Sequence, residues 1–275
     1  MKDFRFGWWT TGRDQAAIDL FDAVWQAVQE GRIKGGFAYL FCSRVPGESE
    51  FSDLLIQSAV ERGIPVESLS ARNFEPDLRK RDRDRWRALY HDQVYDAIKG
   101  YGTDLAILAG YMWVLSPEIC ARINAINLHP ALPGGPAGTW QEVIWQLLEH
   151  EANETGAMMH LVTPELDKGP AVTYYRFSLE GPGWHQLWED FRQHKQVCGG
   201  LGGVREKFGE ELPLFKRIRE EGVKRELPLI VETIRAFSAG EIFLKAGRLY
   251  GRDGRELAEP YDLSQAVEQA LSQQG

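Results

Sequence analysis

The chain has 275 residues, of which 43% are hydrophobic and 26% are charged, and this composition is ordinary for a globular protein that forms its core without disulfides or metals. Its formal net charge of −8 argues against nonspecific nucleic-acid binding as the main task. No signal peptide is expected, and no run approaches the roughly 18 apolar residues of a membrane span. The three widely spaced cysteines are expected to be reduced thiols in a cytoplasmic protein.

The first half of the chain alternates strand-like and helix-like segments. A β-rich aromatic run at 4–10 stops at Thr11-Gly12-Arg13-Asp14, and a helix with apolar residues at helical spacing follows, ending at Gly31. Further elements are expected as a strand at 36–42, a helix at 51–62, a short edge strand at 65–69, a helix at about 84–99 and a buried central strand at 104–109. This order predicts an α/β fold: a Rossmann-like open, mostly parallel sheet with helices on both faces.

In the second half of the chain the sequence pattern is clear at first and then becomes less regular. Ser116-Pro117-Glu118 predicts a helix start, and Thr139 with Glu142 predicts a capping box. Strands are expected at 125–128, 156–162 and 171–177. A helix at about 184–197 and a flexible glycine-rich loop at 198–203 are expected next. The remaining expected elements are a helix from about 213 to 239 that Gly222 and Pro228 could interrupt, a hairpin within 241–250 and a helix at about 263–271. We expect a single domain over 1–275, with an insertion at about 181–212 and a C-terminal helix and hairpin extension at about 240–275.

Three polar side chains stand at the ends of two of these strands. Asn127 and His129 lie two residues apart, so they project from the same face of a strand. Asp167 lies in the turn that follows the next strand. Open α/β sheets bind ligands at the carboxyl ends of their strands, which makes the three a candidate catalytic group. Taken singly, a histidine is often a structural hydrogen-bonding group, and an aspartate in a turn often bonds its own backbone.

Three segments carry a specific resemblance: Leu108–Glu118, Ile126–Pro133 with its Asn-x-His-Pro, and Thr155–Pro170 with its Leu-Asp-x-Gly-Pro. In these segments the chain resembles the folate-dependent formyltransferase family, most closely its phosphoribosylglycinamide formyltransferase branch. The resemblance covers roughly residues 4–180 and a late helix near 227–237. It implies the formyltransferase fold and catalytic roles for Asn127, His129 and Asp167.

The resemblance also implies two binding regions. The folate pocket falls on the following residues: Gly110, Tyr111, Met112, Trp113, Val114, Leu115, Val162 and Thr163. The site for a phosphorylated amine acceptor falls on the following residues: Thr11, Gly12, Arg13, Arg87 and Glu221. The implied reaction moves a formyl group from 10-formyltetrahydrofolate, as cosubstrate and without a metal, to glycinamide ribonucleotide in purine synthesis.

Several alternatives remain open on the acceptor side. The first turn reads Thr-Thr-Gly-Arg-Asp where the family is usually rich in Gly, Ser and Asn. The basic run at 79–87 is either a solvated helix start or an anion site, and Arg13 is either an exposed turn residue or an anion ligand. The acceptor is therefore either glycinamide ribonucleotide or another amine, such as an amino sugar nucleotide, and a non-catalytic folate-binding protein is a further alternative. We expect small-molecule partners, no nucleic acid and no membrane, with a homodimer left open.

Overall fold

The computed structural model describes residues 3–273. Contacts within the chain define two compact units. The first unit comprises Met1–Leu128, Met159–Val172 and Ile230–Glu259, and the second unit comprises His129–Met158, Thr173–Leu229 and Pro260–Gly275.

The helices and strands follow one another in an alternating α/β order up to the middle of the chain. The strands are β1 (Phe4–Thr10), β2 (Gly35–Cys42), β3 (Val66–Ser68), β4 (Leu105–Leu108), β5 (Ala125–His129), β6 (Glu154–Leu161), β7 (Ala171–Ser178), β8 (Ile242–Lys245), β9 (Arg248–Gly251) and β10 (Tyr261–Asp262). The helices are α1 (Gln15–Gln29), α2 (Glu50–Glu61), α3 (Pro76–Arg81), α4 (Arg83–Ile98), α5 (Pro117–Cys120), α6 (Trp140–Glu149), α7 (Pro182–Val197), α8 (Leu201–Phe208), α9 (Pro213–Ser238) and α10 (Ser264–Ser272).

The first unit is built on the strands β5-β4-β1-β2-β3, and the end of β6 lies beside β5. The pairs β1/β2, β1/β4, β2/β3 and β4/β5 are all parallel. Neighbouring side chains of β1 point to opposite faces: Trp8 packs on Phe21 of α1, while Trp9 packs in a core cluster with Trp86 and Tyr90 of α4. Helices therefore cover both faces of this sheet, and the predicted fold class is confirmed.

The second unit is largely helical and contains strands in the order β10-β7-β6, with β10 parallel to β7. Its core joins α6, α7, α8 and the first half of α9 through large buried side chains. These include Trp145, Trp188, Phe191, Val204 and Phe215. This packing explains why helices continue in a region where the sequence pattern loosens.

Two expectations for the second half of the chain are corrected. The expectation of a flexible loop at 198–203 is wrong from Leu201 onward, because α8 begins there and includes Gly202 and Gly203. Its Val204 is fully buried in the core of the second unit, and this packing overrides the low helix propensity of glycine. Helix α9 is continuous although Pro228 lies inside it.

The basic run at 79–87 is divided between two helices. It covers the end of α3 and the start of α4, and Asp82 between them accepts a hydrogen bond from the Arg85 amide at 3.0 Å. The two predicted helix starts are confirmed. The Ser116 hydroxyl accepts from the Ile119 amide, and Thr139 forms a reciprocal capping box with Glu142.

The three cysteines are free thiols, as expected. Cys42, at the end of β2, is fully buried, and this burial raises the pKa of its thiol to about 11. Cys120 and Cys198 are partly exposed. No helix within residues 3–273 is both long enough and apolar enough to cross a membrane.

Candidate active site

The loop that follows β4 is held by the end of β1. Gly110 adopts a left-handed backbone conformation with φ of 69°, which glycine accepts without strain. The Thr11 amide donates to the Gly110 carbonyl at 3.1 Å, and the Met112 amide donates to the Thr11 hydroxyl oxygen at 3.0 Å. Residues 110–115 therefore leave the sheet as a fixed loop, and the buried Thr11 hydroxyl is one of the groups that fix it.

The turn that follows β6 faces the same region of the first unit. A Cβ atom added to Gly169 would lie 1.6 Å from the Leu161 carbonyl oxygen, so no other residue fits without a backbone shift. The Leu161 amide donates to the Pro170 carbonyl at 2.9 Å, which closes the turn. Asp167 takes a left-handed conformation with φ of 55°, a region that aspartate tolerates better than most residues. The spacing of Leu-Asp-x-Gly-Pro thus has a steric basis.

The loop and the turn enclose a cavity of about 240 Å³ in the first unit. Seven of the eight residues predicted for the folate pocket line it, and they are Tyr111, Met112, Trp113, Val114, Leu115, Val162 and Thr163. The eighth, Gly110, forms the bend where this loop leaves the sheet. Asn127 and Asp167 line the same cavity, so the structure brings two of the three predicted catalytic side chains together with the predicted pocket.

The polar end of this cavity contains a histidine that the sequence analysis did not single out. His160, near the end of β6, is 2% exposed. Its Nε2 lies 3.4 Å from Asn127 Nδ2 and 3.7 Å from Asp167 Oδ1, while its Nδ1 lies 3.1 Å from the Leu161 carbonyl oxygen. Because a carbonyl only accepts, Nδ1 carries a proton, and in the neutral ring Nε2 accepts from the Asn127 amide. His160 therefore orients Asn127.

A signal for His160 was present in the sequence. It is the one polar residue in the apolar run 156–162, and it precedes the turn that contains Asp167.

His129 opens the second unit and is 4% exposed. Its Nε2 lies 3.0 Å from the Pro136 carbonyl oxygen, so that nitrogen carries the proton and donates to the carbonyl. The bond spans the glycine- and proline-rich segment that follows β5. His129 is thus a buried, hydrogen-bonded imidazole at the carboxyl end of its strand.

The residues predicted for the acceptor site are mostly engaged in surface ion pairs. Arg13 pairs with the adjacent Asp14 at 3.2 Å, and Arg87 pairs with Asp84 at 3.3 Å. The Gly12 carbonyl accepts from Arg44 Nη1 at 3.1 Å, so a further arginine that the sequence analysis did not name lies at this turn.

Glu221 belongs to the second unit, in α9, and is surrounded by cations. It contacts Arg225 at 2.6 Å, Lys224 at 2.9 Å and Arg217 at 3.2 Å. Burial raises the pKa of its carboxyl, but hydrogen bonds from Arg225 and Lys224 outweigh burial and hold the pKa below its usual value. Glu221 is therefore a carboxylate whose charge is already balanced by its own helix.

The sequence model of the formyl transferase family matches residues 45–178. The resemblance to the folate-dependent formyltransferases is thereby confirmed. Among curated relatives, the chain is 28% identical over 152 residues to the phosphoribosylglycinamide formyltransferase of Escherichia coli (strain K12). That match covers 54% of this chain and 63% of the relative, so it spans less than two thirds of the relative's length.

Other comparisons bear on the fold and on the range of activities in the family. The solved structure of the phosphoribosylglycinamide formyltransferase from Coxiella burnetii superimposes with a TM-score of 0.67 at 18% identity, covering 95% of this chain and 99% of that one. The formyltetrahydrofolate deformylase of Escherichia coli (strain K12) is 39% identical over 85 residues, which are 30% of each chain. The chain is therefore similar both to proteins named as formyltransferases and to a protein named as a deformylase.

Proposed function

We propose that this protein transfers the formyl group of 10-formyltetrahydrofolate to the amine of glycinamide ribonucleotide, a step of de novo purine synthesis. The observation that carries the proposal is the cavity of the first unit, where the predicted folate residues meet Asn127 and Asp167. Both substrates are small molecules, and we place the reaction in the cytoplasm.

The cavity suits one flat ring system better than a whole folate molecule. Its volume of about 240 Å³ is below the range of roughly 300–1,000 Å³ that holds drug-sized ligands. Apolar side chains such as Leu115 and Val162 form its walls, and Asn127, His160 and Asp167 supply polar groups at one end. In our proposal the ring of the cosubstrate enters here and its tail leaves past the exposed Met112 and Leu166.

The chemistry requires a hydrogen-bond donor for a developing oxyanion and a relay for one proton. The acceptor amine attacks the formyl carbon, and the formyl oxygen becomes negative in the tetrahedral intermediate. Asn127 donates to that oxygen, and His129 donates to it in its protonated form, because the single N–H of the neutral ring is bonded to the Pro136 carbonyl. Removal of one such donor typically costs about 10²–10³ in rate. Asp167 assists the transfer of a proton from the attacking amine to the leaving nitrogen. His160 holds the Asn127 amide in the donating orientation.

The acceptor phosphate is assigned to the turn of Thr11, Gly12 and Arg13 together with Arg87. The ion pairs that now occupy both arginines include an exposed carboxylate, and such pairs contribute little stability, on the order of 0–1 kcal/mol. A phosphate with two negative charges can therefore replace the aspartate partners. The assignment of Glu221 to the acceptor amine stays a prediction from the resemblance, and three basic residues of α9 already contact this carboxylate.

The test is a formyl-transfer assay of the full chain with 10-formyltetrahydrofolate and three acceptors: glycinamide ribonucleotide, an amino sugar nucleotide and water. His129→Ala and Asp167→Asn are expected to abolish transfer while leaving the folded state intact. Asp96→Asn, which changes an exposed aspartate on α4, serves as the matched control. Activity of both site variants within threefold of the parent would reject the assignment.

A second assay addresses the acceptor alone. Arg13→Ala and Arg87→Ala are each expected to raise the KM for glycinamide ribonucleotide and to leave the KM for the folate unchanged. If acceptor kinetics are unaffected in both variants, the phosphate assignment is wrong even if formyl transfer occurs.

Hydrolysis of 10-formyltetrahydrofolate is a second candidate function, and one observation favours it. The deformylase of Escherichia coli (strain K12) has a higher identity over its matched segment than the formyltransferase has over its longer one. Release of formate with water alone, at a rate that no amine increases, would support this candidate and reject transfer to glycinamide ribonucleotide.

A further inference from the structure

A row of buried hydrogen bonds runs behind the wall of the first unit's cavity. His91 lies on the inner face of α4 and has no exposed surface. The Ser116 amide donates to its Nδ1 at 3.2 Å, and its Nε2 lies 3.2 Å from the Tyr111 hydroxyl oxygen. One imidazole thus contacts both ends of the loop 111–116, which forms that wall.

Which group donates and which accepts in this row follows from the Ser116 amide. The backbone N–H of Ser116 can only donate, so His91 Nδ1 must carry a lone pair and Nε2 must carry the proton. Nε2–H then donates to the Tyr111 oxygen. The Ser116 amide, the His91 ring and the Tyr111 hydroxyl are thus joined by two hydrogen bonds that neutral side chains can make.

We infer that His91 is a positioning residue which, as a neutral imidazole with its proton on Nε2, sets the shape of the folate-binding loop by holding Tyr111 and Ser116. The inference rests on the proposed function for the identity of the ligand. Tyr111 lines the cavity with only 8% of its surface exposed, so its ring is held against the protein interior and not against solvent.

No common side chain other than neutral histidine offers an acceptor and a donor on opposite sides of a rigid ring. An alternative arrangement competes with this one, because the Arg87 carbonyl one turn earlier on α4 favours a proton on the imidazole. A proton placed on Nδ1 would face the Ser116 N–H and leave that amide without an acceptor. The two arrangements predict opposite tautomers, which makes the inference measurable.

The first experiment is nitrogen-15 NMR of the full chain without ligand at neutral pH. The His91 ring is expected to show an unprotonated Nδ1 and a protonated Nε2, and the Ser116 amide is expected to be protected from exchange. The opposite tautomer, or rapid exchange of that amide, would overturn the inference whether or not the protein binds a folate.

The second experiment uses Tyr111→Phe and His91→Asn, singly and together. Each removes the bond between Nε2 and the Tyr111 hydroxyl, while the asparagine oxygen can still accept from Ser116. Loss of one neutral hydrogen bond of about 1 kcal/mol corresponds to about a fivefold rise in the KM for 10-formyltetrahydrofolate. We expect that rise with kcat within twofold, and the double variant should be no worse than either single variant because both lose the same bond.

Tyr95→Phe on the same helix is the matched control, since Tyr95 packs beneath Arg122 and lies outside the row. Unchanged folate KM in both single variants, with the parent active, would overturn the inference. Additive effects in the double variant would overturn it as well. If His91→Asn does not fold, the comparison of Tyr111→Phe with the parent still decides, because that change removes only one oxygen. A parent that neither binds nor uses a folate rejects the proposed function, while the NMR result stands separately.

Discussion

Acidification should destabilise the folded protein through His91. Burial lowers the pKa of His91 from its ordinary value of 6.5 to about 4. The Arg87 charge adds to this lowering, while the Arg87 carbonyl and the charge of Glu118 oppose it. The unfolded chain therefore binds a proton at this residue below pH 6.5, and the folded chain binds it only near pH 4.

The sign and the size of the effect follow from this difference. Between pH 6.5 and about 4 the unfolded state binds more protons, so the free energy of unfolding falls as the pH falls. A gap between 6.5 and about 4 corresponds to about 3 kcal/mol at 1.36 kcal/mol per pH unit. Above pH 6.5 the contribution of His91 is constant, and below about pH 4 it is fully lost.

The assay is urea unfolding of the parent and of His91→Gln at a series of pH values from 7.5 to 4. Other histidines and carboxylates titrate in both proteins, so the informative quantity is the difference between their free energies of unfolding. That difference should fall by about 3 kcal/mol in the direction of lower parent stability. A difference that stays constant across the series would refute the reasoning, and so would one that grows on acidification.

Substitutions at three further positions test the local structure. Gly169→Ala should destabilise the protein by about 3 kcal/mol or more, measured by urea unfolding, because its Cβ would lie 1.6 Å from the Leu161 carbonyl oxygen. Gly222→Ala, in α9 with open space around it, should instead raise stability by about 0.5–1 kcal/mol, and equal effects at the two glycines would contradict this account. Thr139→Ala should cost about 1 kcal/mol by removing the cap on α6, and Thr139→Ser should restore most of it; a cap that contributes nothing would leave both thermal midpoints at the parent value.

The sequence predicted the sheet of the first unit well because its signals are local. The apolar run of β4, the glycine that ends it and the serine cap of α5 each lie within a few residues of one another. Helix α8 was missed because two glycines lie in its first turn. The burial of Val204 stabilises the helix and outweighs the low helix propensity of these glycines. The continuity of α9 through Pro228 has a similar origin, since Leu229 and Ile230 are both fully buried.

The candidate site was predicted in part. The family resemblance identified the two walls of the cavity, and the sequence spacing put Asn127 at the end of its strand. His160 and His91 were not recognised, because a single histidine within an apolar strand or helix face resembles a structural residue. Asn127 lies 33 residues from His160, and Tyr111 and Ser116 lie 20 and 25 residues from His91, so no local pattern contains these pairings.

Because the Cys42 thiol is buried, chemical labelling of this residue can report on opening of the first unit. A thiol reacts with alkylating reagents as the thiolate, and a pKa of about 11 at a fully buried position suppresses both ionisation and access. Modification of Cys42 therefore requires that β2 open, whereas the partly exposed Cys198 at the end of α7 can react from the folded state. The rate at which mass spectrometry detects label on Cys42, relative to Cys198, measures how often the sheet opens under native conditions. A folate that binds the first unit should slow that labelling in proportion to its occupancy.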